Sequence, residues 1–289
     1  MTVCRYTQVH SVDEAITQLA ADGEAHILAG GVASGILMNE KLLDPTCLID
    51  ISRIASLKEL SVDDDGTLCI GSLLTHTEIL DSRLVADSSP LLTEMCAEIA
   101  CGRIRNRGTI GGNICLADPQ GDPPVALLAL KANLRVAGPD GCRDIPVHEF
   151  FRDVYTTALT GDEILKEIRV SPTLANAGFA YRKYGSRGAM DYASTISVAV
   201  NLVRDPLSHL ITDIGLGLGG VGTMPLRPMA TESALIGQRP GPDIFAMIKK
   251  TLSAELEPIG DNLYSEDYKH HVAWVQLKRA LTRAYERAG

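Results

Sequence analysis

The order of secondary-structure signals along this 289-residue chain predicts an α+β fold built from two domains. In the C-terminal part, three long apolar runs with strand character are followed by three segments with helical periodicity. The strand-like runs cover 179–184, 193–203 and 210–221, and the helices are predicted near 230–236, 243–256 and 267–287. Turn-forming residues at Pro172 and at 176–178 separate this part from the rest. We therefore expect an N-terminal domain over 1–175 and a C-terminal domain over 176–289.

Short strands and capped helices are predicted for the N-terminal domain. Capping boxes at 11–14 and 75–78 indicate two helix N-termini, and Ser-Pro at 89–90 opens a helix expected to continue to residue 99. Strands are predicted at 27–28, 47–51, 60–62, 68–70 and 164–170, a hairpin within 134–147, and a helix at 125–130.

The composition is that of a soluble globular protein whose partners are not polyanions. Hydrophobic residues make up 45% of the chain and charged residues 22%, and the formal net charge is −9. This acidic balance argues against nucleic acid and against an anionic membrane surface. No apolar run approaches the roughly 18 residues of a transmembrane helix, so membrane insertion is not expected. The seven scattered cysteines, with no C-x-x-C, predict a cytoplasmic protein without a disulfide framework.

Two glycine turns are the most informative motifs. The first, LAGGVAS at 28–34, and the second, TIGGN at 109–113, are each interpreted as leaving an apolar strand-like segment. Glycine lets backbone approach a ligand closely, and successive N–H groups in such a turn form a concavity for an anion. The pair predicts a diphosphate held between the two turns, although either turn alone could be a plain chain reversal. Arg105 and Arg107 could steer a phosphate, or could face solvent or a partner chain.

The sequence contains none of the common catalytic signatures. There is no G-x-x-x-x-G-K-[ST] loop, and GLGLGG at 215–220 comes near a dinucleotide motif but alternates like a strand. No Ser/His/Asp, Cys/His or metal-ligand arrangement is evident. We therefore predict no catalytic residue and no metal ligand in this chain.

With these motifs, the chain resembles the FAD-binding medium subunit of molybdenum hydroxylases, the carbon monoxide dehydrogenase and xanthine dehydrogenase group. The first turn resembles the family's A-G-G-x-[ST/D] loop and the second its R-N-x-G-T-I-G-G-N loop, and similarity continues at 179–187 and 268–281. The resemblance implies a p-cresol-methylhydroxylase-type FAD-binding domain with two α+β subdomains, about 1–55 and 56–175. It also implies a C-terminal domain with a three-stranded antiparallel sheet and a three-helix bundle.

The resemblance implies noncovalent FAD and a set of contacts to it. The pyrophosphate is expected between the two turns, Asp122 beside the flavin nucleotide, Leu165 and Ile99 against the isoalloxazine, and Lys183 near the ring. The turn residues are Ile27, Leu28, Ala29, Gly30, Gly31, Val32, Ala33 and Ser34 in the first loop, and Thr109, Ile110, Gly111, Gly112 and Asn113 in the second.

Several of these residues also have a purely structural interpretation. Asp122 could be only a helix cap, Leu165 only core, and Lys183 a solvated side chain. His76 invites comparison with a covalent flavin anchor, but a hydrogen-bonded structural histidine is the expected role. Ser34 stands one residue later than the family's polar position, so a side-chain bond to the pyrophosphate is expected to be lost there.

By resemblance, this chain is an electron-transfer subunit. A small [2Fe–2S] subunit would pass electrons to its FAD, and a large molybdopterin subunit would hydroxylate the substrate, in a dimer of heterotrimers. An alternative is a self-sufficient FAD-dependent oxidase or reductase of the same fold. A third possibility is a non-catalytic nucleotide-binding or scaffolding module.

Overall fold

The computed structural model of the chain describes residues 4–185 and 195–289. It confirms the α+β fold class, with helices covering three sheets. Three predicted features fall partly outside the described residues: 193–194 of the strand-like run, 186–187 of the family block, and 1–3 of the N-terminus.

The first sheet is small and parallel, and it carries the first glycine turn. Its strands have the spatial order β1-β3-β2, and helices α1 and α2 connect them. The elements are β1 (Arg5–Gln8), α1 (Val12–Ala21), β2 (Ala25–Leu28), α2 (Val32–Asn39) and β3 (Cys47–Asp50). Ser11 caps α1 as predicted, since its hydroxyl accepts the N–H of Glu14 at 3.1 Å. Ala15 and Ile16 of α1 pack with Ile49 of β3 in a core of their own.

The second sheet is antiparallel and supports the second glycine turn. Its five strands have the spatial order β4-β5-β10-β6-β7, and a two-stranded ribbon, β8-β9, lies beside it. The strands are β4 (Leu60–Val62), β5 (Leu68–Gly71), β6 (Asn133–Gly138), β7 (Gly141–Pro146), β8 (Phe151–Asp153), β9 (Thr156–Thr157) and β10 (Ile164–Val170). The helices are α3 (His76–Asp81), α4 (Arg83–Ser88), α5 (Pro90–Ala97), α6 (Gly102–Arg105), α7 (Ile110–Leu116) and α8 (Asp122–Ala129).

Two predictions for this region are wrong in detail. The helix that begins at Pro90 ends at Ala97, two residues before the predicted end, and the short helices α4 and α6 were not predicted. The second glycine turn does not leave a strand either. It follows α6 and forms the first turn of α7, for which Thr109 is the N-cap residue.

The third sheet is antiparallel with the order β11-β12-β13, as the resemblance implied. Its strands are β11 (Ala177–Tyr184), β12 (Ile196–Arg204) and β13 (Ile211–Gly219), followed by α9 (Met229–Leu235), α10 (Pro242–Glu255) and α11 (Glu266–Arg287). Helix α11 covers one face of this sheet and α8 covers the other.

The glycines of β13 explain how closely α8 lies on the third sheet. A Cβ atom on Gly215 would lie 2.0 Å from the carbonyl oxygen of Ala129, and one on Gly217 would lie 1.9 Å from that of Val125. The GLGLGG run is therefore a strand, as predicted, and its glycines bring the helix backbone into direct contact with the sheet. In the described part of the chain, no helix is long and apolar enough to cross a membrane.

Candidate functional site

A cavity of about 710 Å³ opens where the first and second sheets meet. The first glycine turn forms one wall, the N-terminus of α7 forms the opposite wall, and β10 contributes to the interior. The predicted residues on the wall are Ile27, Ala29, Gly30, Gly31, Val32, Ala33, Ser34, Ile99, Thr109, Gly111, Gly112, Asn113, Asp122 and Leu165. The remaining predicted residues, Leu28, Ile110 and Lys183, lie behind the wall.

The first glycine turn presents unpaired backbone N–H groups to the cavity. Gly31 is the N-cap residue of α2 with φ of +73°, a left-handed conformation that favours glycine, and no side chain caps the helix. Among the described residues, no acceptor bonds the N–H groups of Val32, Ala33 and Ser34. These donors and the positive end of α2 can bind an anion, as predicted for this turn.

The second glycine turn differs from the prediction, because its N–H groups already have acceptors. The hydrogen bonds are Ile110 N–H to Leu74 O at 2.9 Å, Gly111 N–H to Ser72 O at 2.9 Å, Gly112 N–H to Thr109 Oγ1 at 3.1 Å, and Asn113 N–H to Thr109 O at 3.0 Å. The hypothesis of bare N–H groups in this turn is therefore wrong. What the turn offers a ligand is close access to the Cα of Gly112 and the side chains of Thr109 and Asn113.

Packing explains the absence of a side chain at three glycines of the two turns, in a different way at each. A Cβ on Gly30 would lie 1.9 Å from the carbonyl oxygen of Arg107, so Gly30 lets the two turns touch. A Cβ on Gly111 would lie 2.5 Å from the Cβ of Ser72, so Gly111 lets α7 rest on the chain that follows β5. A Cβ on Gly112 would meet only the Thr109 hydroxyl at 2.8 Å and the Ala29 Cβ at 3.8 Å. Gly112 is therefore the glycine whose missing side chain leaves room in the cavity.

Three buried polar atoms on the wall have no hydrogen-bond partner among the described residues. They are Ser72 Oγ, His76 Nδ1 and Asn113 Oδ1. Because buried polar groups are nearly always hydrogen-bonded, unpaired atoms on one cavity wall indicate a polar ligand. Sequence reasoning missed Ser72, and it expected a hydrogen-bonded His76. Burial and the nearby charge of Arg105 lower the pKa of His76 to about 4, so its ring is neutral near pH 7.

A second histidine, His26 of β2, also reaches the wall. Its Nε2 lies 3.0 Å from Ser34 Oγ, and burial lowers its pKa. The Ser34 hydroxyl thus has a hydrogen-bond partner within the protein. The sequence offered no signal for His26, because the contact joins a strand to the helix that follows the turn.

Asp122 belongs to a buried charged cluster at the base of the cavity. Its carboxylate accepts hydrogen bonds from Lys183 Nζ at 2.7 Å and from the Tyr181 hydroxyl at 2.5 Å. The side chains of Asp122 and Lys183 are each 2% exposed, so the solvated interpretation of Lys183 is wrong. The N-cap residue of α8 is Gly121, and the Asp122 carboxylate makes no capping bond, so the helix-cap interpretation is wrong too. Burial raises the pKa of Asp122, and the bonds from Lys183 and Tyr181 oppose that rise.

The remaining predicted residues are structural or apolar. Leu165 and Ile99 are each 3% exposed, and they line the cavity while also belonging to the core. Ile110 is fully buried in the same core. Arg105 donates to the Ile99 carbonyl oxygen at 2.7 Å, and Arg107 lies 3.4 Å from that of Gly30. Both arginines therefore fasten the loops, and neither lines the cavity.

Among the described residues, no lysine or arginine lines the wall, and its donors are backbone N–H groups and uncharged polar side chains. The wall also carries three carboxyl side chains, those of Asp118, Asp122 and Glu163. In the described part of the chain, no group of three His, Cys, Asp or Glu side chains could hold a metal ion. The fold and this wall together define an α+β protein that binds an anionic, partly apolar cofactor.

Comparison with known proteins identifies the family. A family model described as the FAD binding domain in molybdopterin dehydrogenase matches residues 2–173, and one for the CO dehydrogenase flavoprotein C-terminal domain matches 179–284. The chain is 33% identical over 283 residues to the carbon monoxide dehydrogenase medium chain of Hydrogenophaga pseudoflava, covering 98% of this chain and 97% of that one. It is 27% identical over 285 residues to the xanthine dehydrogenase FAD-binding subunit of Escherichia coli O157:H7, covering 98% and 97%.

Solved structures agree with the sequence comparisons. Carbon monoxide dehydrogenase from Hydrogenophaga pseudoflava, in a form lacking the Mo-pyranopterin moiety, superposes with a TM-score of 0.95 at 33% identity over 99% of this chain and 98% of that one. Quinoline 2-oxidoreductase from Pseudomonas putida 86 gives a TM-score of 0.90 at 27% identity, covering 98% and 97%. The chain therefore belongs to the FAD-binding medium subunits of the molybdenum hydroxylase family, which are flavoprotein subunits of oxidoreductases.

Proposed function

We propose that the chain is an electron-transfer subunit, which holds FAD between a [2Fe–2S] partner subunit that donates electrons and an acceptor that removes them. The observation that carries this proposal is the cavity between the two turns, where unpaired N–H groups and unpaired polar atoms meet an apolar interior. Such a wall suits a diphosphate joined to a flat apolar ring.

The residues that are present fit FAD. The N–H groups of Val32, Ala33 and Ser34 would bond the pyrophosphate, and the missing side chain of Gly112 would leave room for it at the opposite wall. The unpaired atoms of His76 and Asn113, with Ser72 Oγ beside them, would bond polar groups of the cofactor. We propose no covalent attachment, because the neutral, 98%-buried His76 sits where a hydrogen-bonding role suffices.

Bound FAD supplies the redox chemistry, and the chain tunes it. Leu165 and Ile99 would exclude water from one end of the cavity. Lys183 and Tyr181 hold the Asp122 carboxylate in one position, with donors at 2.7 and 2.5 Å, so that a fixed charge faces the cavity. A neutral His76 can accept a hydrogen bond at Nδ1 without adding a charge.

The proposed complex contains the small [2Fe–2S] subunit and a large molybdopterin subunit, arranged as a dimer of heterotrimers in the cytoplasm. The names of the relatives support a multi-subunit assembly, since they are called medium chains or subunits. We further propose that the FAD-binding domain spans 1–175, with subdomains of about 1–55 and 56–175, and that 176–289 forms the C-terminal domain. The three hydrophobic clusters follow this division approximately.

The test is anaerobic electron transfer in the purified protein. The chain is co-expressed with the [2Fe–2S] and molybdopterin subunits, which we expect to be encoded beside its gene, and is then purified alone and as the complex. We expect rapid loss of flavin absorbance when the reduced [2Fe–2S] partner is mixed with the FAD-loaded chain. Acid precipitation should release the flavin into the supernatant.

Each alternative predicts a different result. Turnover of an organic substrate by the single chain would support the self-sufficient flavoenzyme. A colourless protein that takes up no FAD would support the non-catalytic module. Flavin that stays with the acid-precipitated protein would overturn the proposal of noncovalent binding and leave the electron-transfer proposal intact.

A further inference from the structure

A basic groove lies on the C-terminal domain, away from the cavity. It runs along the exposed side of α11, between α10 and the edge strand β11. Its lining residues are Arg182, Lys249, His271, Trp274, Val275, Lys278, Arg279, Thr282, Arg283 and Glu286. Five of these side chains are lysine or arginine and one is acidic, in a chain whose formal net charge is −9. The groove therefore concentrates positive charge on a protein that is acidic overall.

The charges of the groove are poorly compensated within the chain. In the described residues, no carboxylate forms an ion pair with Lys249, Lys278 or Arg279, and Arg283 reaches only Glu94 at 3.4 Å. Arg182 donates to the neutral side-chain oxygen of Gln276 at 2.8 Å. Burial and the like charges of Arg279 and Arg283 lower the pKa of Arg182. An anion in the groove would relieve this repulsion.

The floor of the groove is apolar and fixed in place. Trp274 and Val275 are half-buried along it. The Trp274 ring meets the ring of Phe245 edge to face, with centroids 6.2 Å apart, and Lys278 Nζ lies 5.1 Å from the Phe245 centroid. These contacts hold Trp274 and the cationic end of Lys278 beside the same aromatic ring. Apolar and charged groups together suit a protein segment better than a small inorganic ion.

The groove and the cavity lie on opposite faces of the third sheet. Successive side chains of a strand alternate between faces. Tyr181 and Lys183 point from β11 towards Asp122 and the cavity, whereas Arg182 points towards α11 and bonds Gln276. A chain bound in the groove would therefore leave the cavity open to the electron donor and the acceptor.

We propose that this groove docks an acidic segment of a partner subunit in the assembled complex. The occupant is a stretch of polypeptide rich in Asp and Glu, with an apolar side chain against Trp274. From His271 to Glu286 the lining of α11 covers about 22 Å at 1.5 Å per residue. An extended segment of roughly seven residues would span this distance. The inference rests on the proposed function, because it requires a heteromeric complex.

The experiment compares two double variants with the same change of net charge. Lys249→Glu with Arg279→Glu reverses two charges in the groove. Lys250→Glu with Arg239→Glu reverses two exposed charges outside it, one of them adjacent on the same helix. Both are co-expressed with the partner subunits, and subunit affinity is measured by analytical ultracentrifugation at low and moderate salt. FAD content and the thermal unfolding midpoint are measured on the same samples, which separates docking from folding.

We expect the groove variant to bind the partner subunits about tenfold more weakly or worse, and to lose most of the salt dependence of assembly. The control variant should assemble like the parent, and both should retain FAD. Equal assembly of parent and groove variant would overturn the docking proposal and leave the electron-transfer proposal intact. A parent chain that assembles with no partner would overturn both. Loss of heparin binding by the groove variant, with assembly unchanged, would show that the groove takes a polyanion and would also overturn the proposal.

Discussion

Replacing Lys183 with methionine tests the buried charged cluster beneath the cavity. The substitution keeps the length of the side chain but removes the cation 2.7 Å from Asp122, in a pair whose side chains are each 2% exposed. Removing one member of a buried ion pair leaves the other charge uncompensated, which costs about 3–5 kcal/mol. Lys131→Met serves as the comparison, because Lys131 forms an ion pair with Asp213 in which the two side chains are 34% and 55% exposed. This substitution should lower the free energy of unfolding by about 1 kcal/mol or less.

The free energy of unfolding that Lys183→Met removes should increase as the pH rises. Burial already raises the pKa of Asp122 above its unfolded value, and removing Lys183 raises it further. A carboxyl with a raised pKa stabilises the fold below its unfolded pKa, and this contribution is lost as the pH rises. The difference in free energy of unfolding between parent and variant should therefore be small near about pH 4 and widen towards about pH 8.

Urea unfolding at several pH values, with equal FAD occupancy, measures this difference. The double variant Asp122→Asn with Lys183→Met serves as the reference, because it removes both charges and keeps an acceptor for the Tyr181 hydroxyl. It should recover about 2 kcal/mol or more of the loss at the higher pH. A cost for Lys183→Met of about 1 kcal/mol or less, or one that does not change with pH, would refute the cluster as described.

Two further predictions separate binding from stability. Gly112→Val should weaken FAD affinity, measured by fluorescence titration, while Gly111→Val should mainly lower the unfolding temperature, because its Cβ would lie 2.5 Å from that of Ser72. The reverse pattern would remove Gly112 from the site. His76 binds fewer protons folded than unfolded between its ordinary pKa and about 4, so the parent should lose about 3 kcal/mol of stability as the pH falls through this range. In the His76→Asn protein, the free energy of unfolding should change less with pH over this range. An unchanged pH dependence would contradict the conclusion that His76 is buried and neutral.

The sequence predicted most of the framework because its signals are local. The capping box at Thr75 is present, with the Thr75 N–H donating to Glu78 Oε2 at 2.8 Å, and strand β10 has the predicted bounds. Helices α4 and α6 were missed because they have only six and four residues, fewer than two turns each, which is too short for a detectable period. Thr109 could have been recognised as an N-cap residue, which would have placed the second glycine turn at the start of a helix.

Without the family resemblance, the wall was predictable from the sequence only where a residue acts through its own backbone. Gly31 was identified because its φ is a local property, and the structure shows φ of +73°. His26 and Ser72 come close to the turns only through tertiary packing, so no spacing rule points to them. Tyr181 could have been found from Lys183, since residues two apart on a strand share a face.

The alternation along β11 also explains how the C-terminal sheet reaches Asp122 on the wall of the cavity. Lys183 reaches Asp122 only if its strand keeps its register, because a slip by one residue would bring Arg182 to that face and turn Lys183 towards α11. The backbone contacts of Gly215 and Gly217 with α8 hold the sheet against the helix that begins with Asp122. The same helix thus fixes the sheet at one end and supplies the carboxylate at the other. The position of the Lys183 charge is therefore a consequence of glycine packing about thirty residues further along the chain, and a bulkier residue in β13 would disturb the cavity without touching it.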